Sequence, residues 1–261
     1  MKILQTAERV SDKDVSDNYI YQRSLFAYEE AAKLVSGDVL EIGTGSGYGI
    51  EIISPKTNKF ITVDKFENEN LTRLKEKFNN LVFIKTNVPP LTGIEDNSVD
   101  YVITFQVIEH IQNDKEFVKE IYRVLKNKGK LIVTTPNIKM SLTRNPWHIR
   151  EYTINELENL LLKSFQSVEK LGVFGNDKVM KHYEKNKESV KKFTRFDIFN
   201  LQYLLPRQLL QIPYDILNRI NRNKLMKSSD SLVSDIKLDD YFIDKANDNC
   251  LDLFYCAQKI V

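Results

Sequence analysis

Apolar and polar residues along the first half of the chain recur with two different periods. Short continuous apolar runs, typical of strands buried in a parallel sheet, predict strands over 38–42, 60–64, 81–85, 100–105 and 130–135. Between these runs, apolar residues spaced three and four apart predict helices. The clearest helix covers 113–128, where Asn113 and Glu116 form a capping pair and Gly129 ends the helix. Strand and helix therefore alternate along this half of the chain.

Alternating strands and helices of this length predict a parallel sheet covered on both faces, and right-handed crossovers make it a doubly wound α/β fold. Two later strand-like runs, 166–174 and 251–258, flank about eighty residues that no simple crossover requires. We therefore predict a single domain over 1–261, with an N-terminal helical segment over 1–37 and a helical insertion over 177–248.

The segment 39–49, VLEIGTGSGYG, contains four of the nine glycines of the protein. Its pattern predicts a strand that stops, turns sharply and opens a helix. A turn needs one glycine with positive φ, so Gly43, Gly45 and Gly47 together indicate a backbone against which another molecule lies. The G-x-G-x-x-G dinucleotide fingerprint fails here, because Tyr48 occupies the position of its third glycine.

The pattern E-x-G-x-G-x-G over 41–47 resembles the first motif of the S-adenosylmethionine (SAM) dependent methyltransferases with a Rossmann-like fold, of the type 11 and type 12 kind. The resemblance covers 37–137. It implies a seven-stranded sheet whose last strand is antiparallel, SAM as the methyl donor and S-adenosylhomocysteine as the product. It also implies that the cofactor lies against Glu41, Gly43, Gly45 and Gly47.

Four later residues complete the predicted cofactor site. Asp64 ends the second strand, where a carboxylate can accept both ribose hydroxyls; capping the next helix is its alternative role. Asn87 and Val88 follow the third strand, where the family usually has an acid and then a small residue whose amide reads the adenine edge. The Asn87 amide oxygen can still accept from an amine, although a plain turn residue would look the same. Gln106 follows the fourth strand.

The residues 106–110, QVIEH, resemble a segment with two acids three apart and a histidine. In the ribose methyltransferases of small-RNA ends and in ubiquinone-type O-methyltransferases, those positions are associated with a divalent metal. Gln106 replaces the first acid, and a neutral amide is a weaker ligand for a hard cation, so we predict no metal. Glu109, His110 and His148 are the ligands that a metal would use. Otherwise Glu109 and His110 form a hydrogen-bonded pair that shapes the pocket, or His110 acts in catalysis.

The segment 136–152 leaves the fifth strand at the edge where open α/β sheets bind ligands, and a capping box at Thr153 and Glu156 begins the next helix. Its Trp147, His148, Arg150 and Tyr152 could stack on a ring, remove a proton and pair with an anion. An aromatic plug over the core is the alternative. His110 and His148 are the predicted catalytic bases.

The insertion has a lysine-rich part, 178–194, which predicts an exposed helix, and an apolar part, 195–227, which Pro206 and Pro213 interrupt. We favour a helical lid over the acceptor site, with a dimer surface or an interfacial membrane contact as alternatives. The apolar part is too interrupted to span a bilayer.

Composition narrows the class of protein without choosing a partner. The chain is 42% hydrophobic and 28% charged, as in ordinary globular proteins. Its 38 basic and 36 acidic residues give a net charge of +2, which provides no strong case for nucleic acid. The N-terminus has no apolar run long enough for a signal peptide, so we expect a cytoplasmic protein. The oligomeric state is left open.

The predicted reaction transfers methyl from SAM to a small-molecule or glycan acceptor, most simply to a hydroxyl. Positioning supplies most of the catalysis, because the sulfonium is already a good leaving group. The alternatives are an RNA-end or quinone-type O-methyltransferase, and a SAM-binding regulatory domain without turnover, since Asn87 and Gln106 both stand where acids are common.

Overall fold

The computed structural model describes residues 14–195, 197, 200–228 and 232–260, with the backbone alone described at 193, 227 and 228. Within the predicted segments, residues 1–13, Phe196 and Phe199 lie outside the described residues. Eight strands of the described chain form one sheet in the order β3-β2-β1-β4-β5-β8-β6-β7. The strands are β1 (Asp38–Ile42), β2 (Lys59–Asp64), β3 (Leu81–Lys85), β4 (Val99–Phe105), β5 (Leu125–Pro136), β6 (Ser167–Gly175), β7 (Tyr241–Lys245) and β8 (Asp252–Gln258).

Helices connect these strands as the apolar spacing predicts. They are α1 (Asn18–Ala32), α2 (Tyr48–Ile53), α3 (Leu71–Lys77), α4 (Asp114–Val124), α5 (Ile154–Leu161), α6 (Asp177–Thr194), α7 (Leu201–Leu204), α8 (Arg207–Ser228) and α9 (Leu232–Asp235). The predicted capping box of α5 is present, since Thr153 accepts from the Glu156 amide and Glu156 accepts from the Thr153 amide. None of the described helices combines the length and the apolar character needed to cross a bilayer.

The strand directions confirm the doubly wound fold. β1 runs parallel to β2 and β4, β2 runs parallel to β3, and β4 runs parallel to β5. β8 is antiparallel to both β5 and β6, with Ala257 opposite Leu131 on one side and Val168 on the other. The predicted antiparallel last strand is therefore confirmed.

The predicted number of seven strands is wrong, because β7 adds an eighth strand at the sheet edge. It lies in the part of the chain predicted as insertion. Tyr241 is its one buried residue, and the other four are exposed or half-buried. A strand at an edge can satisfy its backbone on one side without an apolar run, so the sequence pattern does not reveal it.

The predicted helix over 113–128 is four residues too long. α4 ends at Val124, and the chain at once begins to pair with β4, where Leu125 is opposite Val99. The register then shifts so that Lys130 is opposite Tyr101, and the residues between form a bulge in which Lys128 has a φ of 67°. Pairing in the sheet therefore overrides the local helix signal before Gly129.

The described chain divides into two compact units. The sheet unit contains Ser24–Met140, Arg150–Phe174 and residues 243–260, and the insertion unit contains residues 14–23, Ser141–Ile149 and Gly175–Phe242. The assignment of one domain with an added cap stays a prediction. The insertion unit also takes in the described N-terminal residues, which the sequence does not indicate.

A buried ion pair joins the described N-terminal residues to α8 within the insertion unit. The Arg222 guanidinium donates to the buried Asp17 carboxylate at 2.7 Å, and Arg219 donates to Asp17 at 3.1 Å and to Asp14 at 2.7 Å.

Pro206 separates α7 from α8 as predicted, but Pro213 lies inside α8. Its ring is on the exposed side, where water can reach the carbonyl left without a donor.

Candidate functional site

The glycine segment forms a turn between β1 and α2 that is tied to the end of β2. The Gly43 amide donates to the Val63 carbonyl at 2.9 Å, and the Gly45 amide donates to the Asp64 carboxylate at 3.0 Å. The Asn68 side-chain amide donates back to the Gly45 carbonyl at 3.0 Å. Because β1 and β2 are adjacent parallel strands, their carboxyl ends bring the turn and Asp64 together, as the sequence predicts.

The glycines in this turn differ in what surrounds their Cβ positions. Gly43 and Gly47 have φ values of 94° and 82°, which favour glycine, and a Cβ there would also lie 2.4 Å from Val107 Cγ2 and 3.0 Å from Leu74 Cδ1, respectively. Gly45 has a φ of 54° and no described atom within 4 Å of its would-be Cβ. Of the three predicted glycines, Gly45 alone faces open space on its Cβ side among the described residues.

The fourth glycine, Gly49, packs against Tyr28 of α1. A Cβ at Gly49 would lie 2.1 Å from Tyr28 Cε1. The Tyr28 hydroxyl donates to Glu41 Oε1 at 2.7 Å, and the Thr62 hydroxyl lies 2.5 Å from Glu41 Oε2 as its donor. The signal that could have found this contact is a glycine in the first turn of a helix, where close packing is the usual reason for it.

Glu41 lies beneath the turn, with 1% of its surface exposed. Burial raises the pKa of Glu41 to about 7, although the hydrogen bonds from Thr62 and Tyr28 favour the charged form. Both carboxylate oxygens already accept hydrogen bonds from the protein. We therefore interpret Glu41 as a residue that positions the turn, which differs from the direct cofactor contact implied by the resemblance.

The remaining predicted cofactor residues lie at the same edge of the sheet. Asn87 and Val88 follow β3, with Asn87 exposed and Val88 half-buried. Gln106 follows β4 with a φ of 56°, and its backbone amide donates to the Thr134 carbonyl at 3.0 Å. Positive φ is uncommon for a residue other than glycine and marks a constrained turn. Val107, the next residue, packs against Gly43, which links this turn to the glycine segment.

Glu109 and His110 form a short 3-10 turn directly after Val107. A Glu109 carboxylate oxygen and a His110 ring nitrogen lie within 4.8 Å of each other. Glu109 is 1% exposed and accepts from the Thr135 hydroxyl at 2.9 Å, whereas His110 is half-buried. The arrangement places a buried carboxylate beside an accessible imidazole, which suits either a shaped pocket or a proton acceptor.

The predicted loop over 136–152 is divided between the two units. At its sheet end, the Ile138 amide donates to the Tyr152 carbonyl at 3.1 Å. The buried Tyr152 donates to Asp114 at 3.0 Å, and Arg150 pairs with the same carboxylate at 3.2 Å. Burial raises the pKa of Tyr152 well above its usual range. Tyr152 is therefore buried, as the plug alternative expects, whereas Arg150 is exposed.

The middle of that loop, Ser141–Ile149, belongs to the insertion unit. The Trp147 indole donates to Asp215 of α8 at 3.0 Å, and Arg144 donates to the Gln202 carbonyl at 2.9 Å. His148 is half-buried, with its Nε2 at 2.9 Å from the Asn145 side-chain amide. The two predicted catalytic histidines thus lie in different units, His110 in the sheet unit and His148 in the insertion unit.

Comparison with known proteins connects this geometry to a family. The sequence model of a protein family described as a methyltransferase domain matches residues 40–133. A probable S-adenosylmethionine-dependent methyltransferase of Mycobacterium tuberculosis is 36% identical over 177 residues, which are 65% of this chain and 64% of that protein. A Mycolicibacterium smegmatis protein of the same description is 35% identical over 176 residues, covering 65% of this chain and 68% of the relative. The chain belongs to the SAM-dependent methyltransferase family.

The fold of this methyltransferase agrees with that assignment. The solved structure of a SAM-dependent methyltransferase from Thermotoga maritima matches 92% of both chains with a TM-score of 0.54 at 17% identity, which shows the common fold. The alignment spans less than two thirds of the length of the M. tuberculosis relative. The matched domain, residues 40–133, contains the glycine turn, Asp64 and His110, whereas His148 and the insertion lie outside it.

The residues of the turn fit the family cofactor, SAM. Gly45 leaves open a space that a side chain would fill, and each Asp64 oxygen accepts one backbone amide, from Gly45 at 3.0 Å and from Phe66 at 3.0 Å. A carboxylate oxygen can accept a second hydrogen bond, so Asp64 retains capacity for hydroxyl donors. The predicted cofactor is confirmed as that of the family.

Proposed function

We propose that this methyltransferase transfers a methyl group from SAM to a hydroxyl of a small-molecule or glycan acceptor. The observation that carries the proposal is the turn at Gly45, which is open on its Cβ side and held by the Asp64 carboxylate at the carboxyl ends of β1 and β2. Ligands of open α/β sheets bind at this edge. When bound, SAM supplies an activated methyl on a sulfonium, which needs positioning more than chemical activation.

The chain provides distinct groups for holding the cofactor and for handling the acceptor. Asp64 would accept from the ribose hydroxyls, and the backbone after β3 at Asn87 and Val88 would face the adenine. A hydroxyl acceptor must also lose a proton, and His110 is the base that the sheet unit offers. His148 is the corresponding candidate in the insertion unit. An amine acceptor would need a shaped pocket and no base.

Calorimetry tests the cofactor part of this proposal. The full chain is titrated in parallel with SAM, S-adenosylhomocysteine and NAD. We expect SAM and S-adenosylhomocysteine to bind and NAD to give no heat of binding, since Tyr48 replaces the glycine that the dinucleotide fingerprint needs. Binding of NAD without SAM would reject the proposal.

Product analysis tests the acceptor part. Radiolabelled methyl transfer is measured with glycan, quinone and RNA-end substrates, and the methylated atom is identified by mass spectrometry. Oxygen methylation of a glycan or a small molecule supports the proposal, and methylation of nitrogen, carbon or an RNA end contradicts it.

A regulatory SAM-binding domain is the second candidate, favoured by Asn87 and Gln106, which stand where the family commonly has acids. This candidate requires tight SAM binding without turnover on any substrate class. The His110→Ala variant separates the two: if the protein is an enzyme, this change lowers turnover while SAM binding stays intact.

A further inference from the structure

The long helix α8 of the insertion unit carries an apolar face that the described residues leave uncovered. We define the α8 face by five residues, each with between 49% and 70% of its surface exposed: Leu209, Ile212, Ile216, Leu217 and Ile220. Leu209, Ile212, Ile216 and Ile220 recur every three or four residues and lie with Leu217 on one side of the helix. The buried Asn221, Arg222 and Leu225 lie on the opposite side. Single exposed apolar residues are ordinary, but a contiguous stripe marks an interaction surface.

Exposed apolar residues also precede this stripe, in α7, and a lysine follows it. Leu201, Tyr203 and Leu204 of the preceding helix α7 are also exposed, by 44% to 73%. Four residues beyond Ile220, on the same side of α8, the exposed residue is Lys224. The side that carries the α8 face has no acidic residue, since Asp215 lies outside the stripe and accepts from Trp147.

The segment 178–227, which includes α7 and nearly all of α6 and α8, is strongly basic. Residues 178–227 contain twelve lysines and arginines and four acidic residues, a net charge of +8, which becomes +6 when Asp14 and Asp17, the ion-pair partners of Arg219 and Arg222, are included. Because the complete chain carries +2, the remainder is net negative. A basic segment with exposed apolar side chains has the composition of an interfacial amphipathic helix.

We propose that the α8 face docks on an anionic lipid surface, with the helix lying in the plane of the interface. Apolar side chains would enter the boundary between head groups and acyl chains, while lysines and arginines of the same unit would interact with anionic head groups. The proposal goes beyond the methyl-transfer reaction and does not depend on which acceptor is used.

Charge distinguishes this occupant from two others. In a homodimer through the α8 face, two copies of this basic segment would meet, and like charges disfavour that contact. Nucleic acid would bring phosphates against leucine and isoleucine side chains, which offer no hydrogen-bond donors. An anionic lipid surface is complementary to both, because its head groups attract the basic residues and its acyl chains accept the apolar side chains.

Vesicle co-sedimentation tests the proposal with the full chain. The probes are vesicles of pure phosphatidylcholine and vesicles with about one third phosphatidylglycerol. The variant is Ile212→Ser with Ile216→Ser, and the matched control is Leu162→Ser with Val82→Ser, which removes exposed apolar side chains from the sheet unit. Thermal melts of both double variants verify that they fold.

We expect the parent and the control to bind the anionic vesicles and the α8 double variant to lose at least tenfold in partition coefficient. Binding to pure phosphatidylcholine should be weaker, and salt should weaken binding to the anionic vesicles. Equal binding of parent and α8 variant, or no binding of the parent to anionic vesicles, would overturn the proposal. A parent dimer in light scattering that the α8 variant abolishes, or RNA binding lost in that variant, would also overturn it in favour of the other occupants.

Discussion

At the scale of single residues, Asp64 has two tasks that one substitution removes together. Its carboxylate holds the Gly45 amide and is the predicted acceptor for the ribose hydroxyls. Asp64→Ala should weaken SAM binding by about 2 to 4 kcal/mol, because charge-assisted hydrogen bonds are lost. Calorimetry measures the change, with Glu76→Ala on the exposed side of α3 as the control. Unchanged affinity in a folded Asp64→Ala variant would place the cofactor elsewhere.

Alanine should damage two glycine positions of the same turn in different ways, one mainly in stability and the other mainly in SAM binding. Gly43→Ala places a methyl 2.4 Å from Val107 Cγ2, so we expect a clear loss of thermal stability. Gly45→Ala meets no described atom, and its cost to the fold is the strain of positive φ, about 1 kcal/mol. Its main effect should be at least a tenfold loss of SAM affinity. Melting curves and calorimetry on both variants distinguish these outcomes, and normal SAM binding by Gly45→Ala would show that the ligand does not approach this glycine.

Gln106 bears on the prediction that the enzyme needs no metal. A neutral amide is a weaker ligand for a hard cation than the carboxylate that it replaces. Activity should therefore persist after exhaustive chelation, within about twofold of the untreated rate. The Gln106→Glu variant is the comparison, since it restores the first acid of the motif beside Glu109. Loss of parent activity on chelation, with recovery on adding magnesium or manganese, would show that the prediction is wrong.

At the scale of elements, the sequence predicts what depends on local patterns and misses what depends on distant pairing. β1 to β4 and the glycine turn follow from apolar runs and glycine spacing. The end of α4 does not, because pairing of Leu125 with Val99 decides it. β7 has one buried residue, Tyr241, and therefore no pattern to recognise.

The same distinction applies to the candidate site. Asp64 is predictable because parallel strands bring their carboxyl ends to one edge. The contact of Tyr28 with Gly49 and Glu41 joins three separate elements, so the glycine in α2 can indicate close packing but no local spacing identifies Tyr28 as the partner. The division of the 136–152 loop between two units is also invisible in the sequence, because Trp147 finds its partner Asp215 in a distant helix.

Trp147 makes the link between its loop and α8 measurable, since it is the one tryptophan of the chain. Its indole donates to Asp215 at 3.0 Å. Asp215→Ala removes the acceptor and should lower the free energy of unfolding by about 1 to 3 kcal/mol. Denaturation followed by tryptophan fluorescence measures the change. Asp215→Asn keeps an acceptor oxygen and should stay closer to the parent. Equal stability of the alanine variant and the parent would show that this hydrogen bond does not hold the loop.

At the scale of the whole molecule, each unit contains a buried titratable group, and the two have opposite pKa shifts. In the sheet unit, burial raises the pKa of Glu41 to about 7. The folded state therefore binds this proton more tightly than the unfolded state, and stability falls as pH rises from about 4.5 to 7. In the insertion unit, burial lowers the pKa of His182, which packs against the Tyr19 ring, to about 4. Stability there falls as pH decreases from about 6.5 to 4.

Acidification from pH 7 to pH 5 should therefore stabilise the surroundings of Glu41 and destabilise those of His182, by roughly 2 kcal/mol each. Hydrogen exchange measured by mass spectrometry, corrected for the intrinsic pH dependence of the amide rates, reports both effects at once. Peptides over 38–64 should gain protection and peptides over 177–194 should lose it. Glu41→Gln should flatten the first response and His182→Gln the second, because each removes one proton-binding group. A change of the same sign in both peptides, or a response that survives its own variant, would show that other groups set the pH dependence.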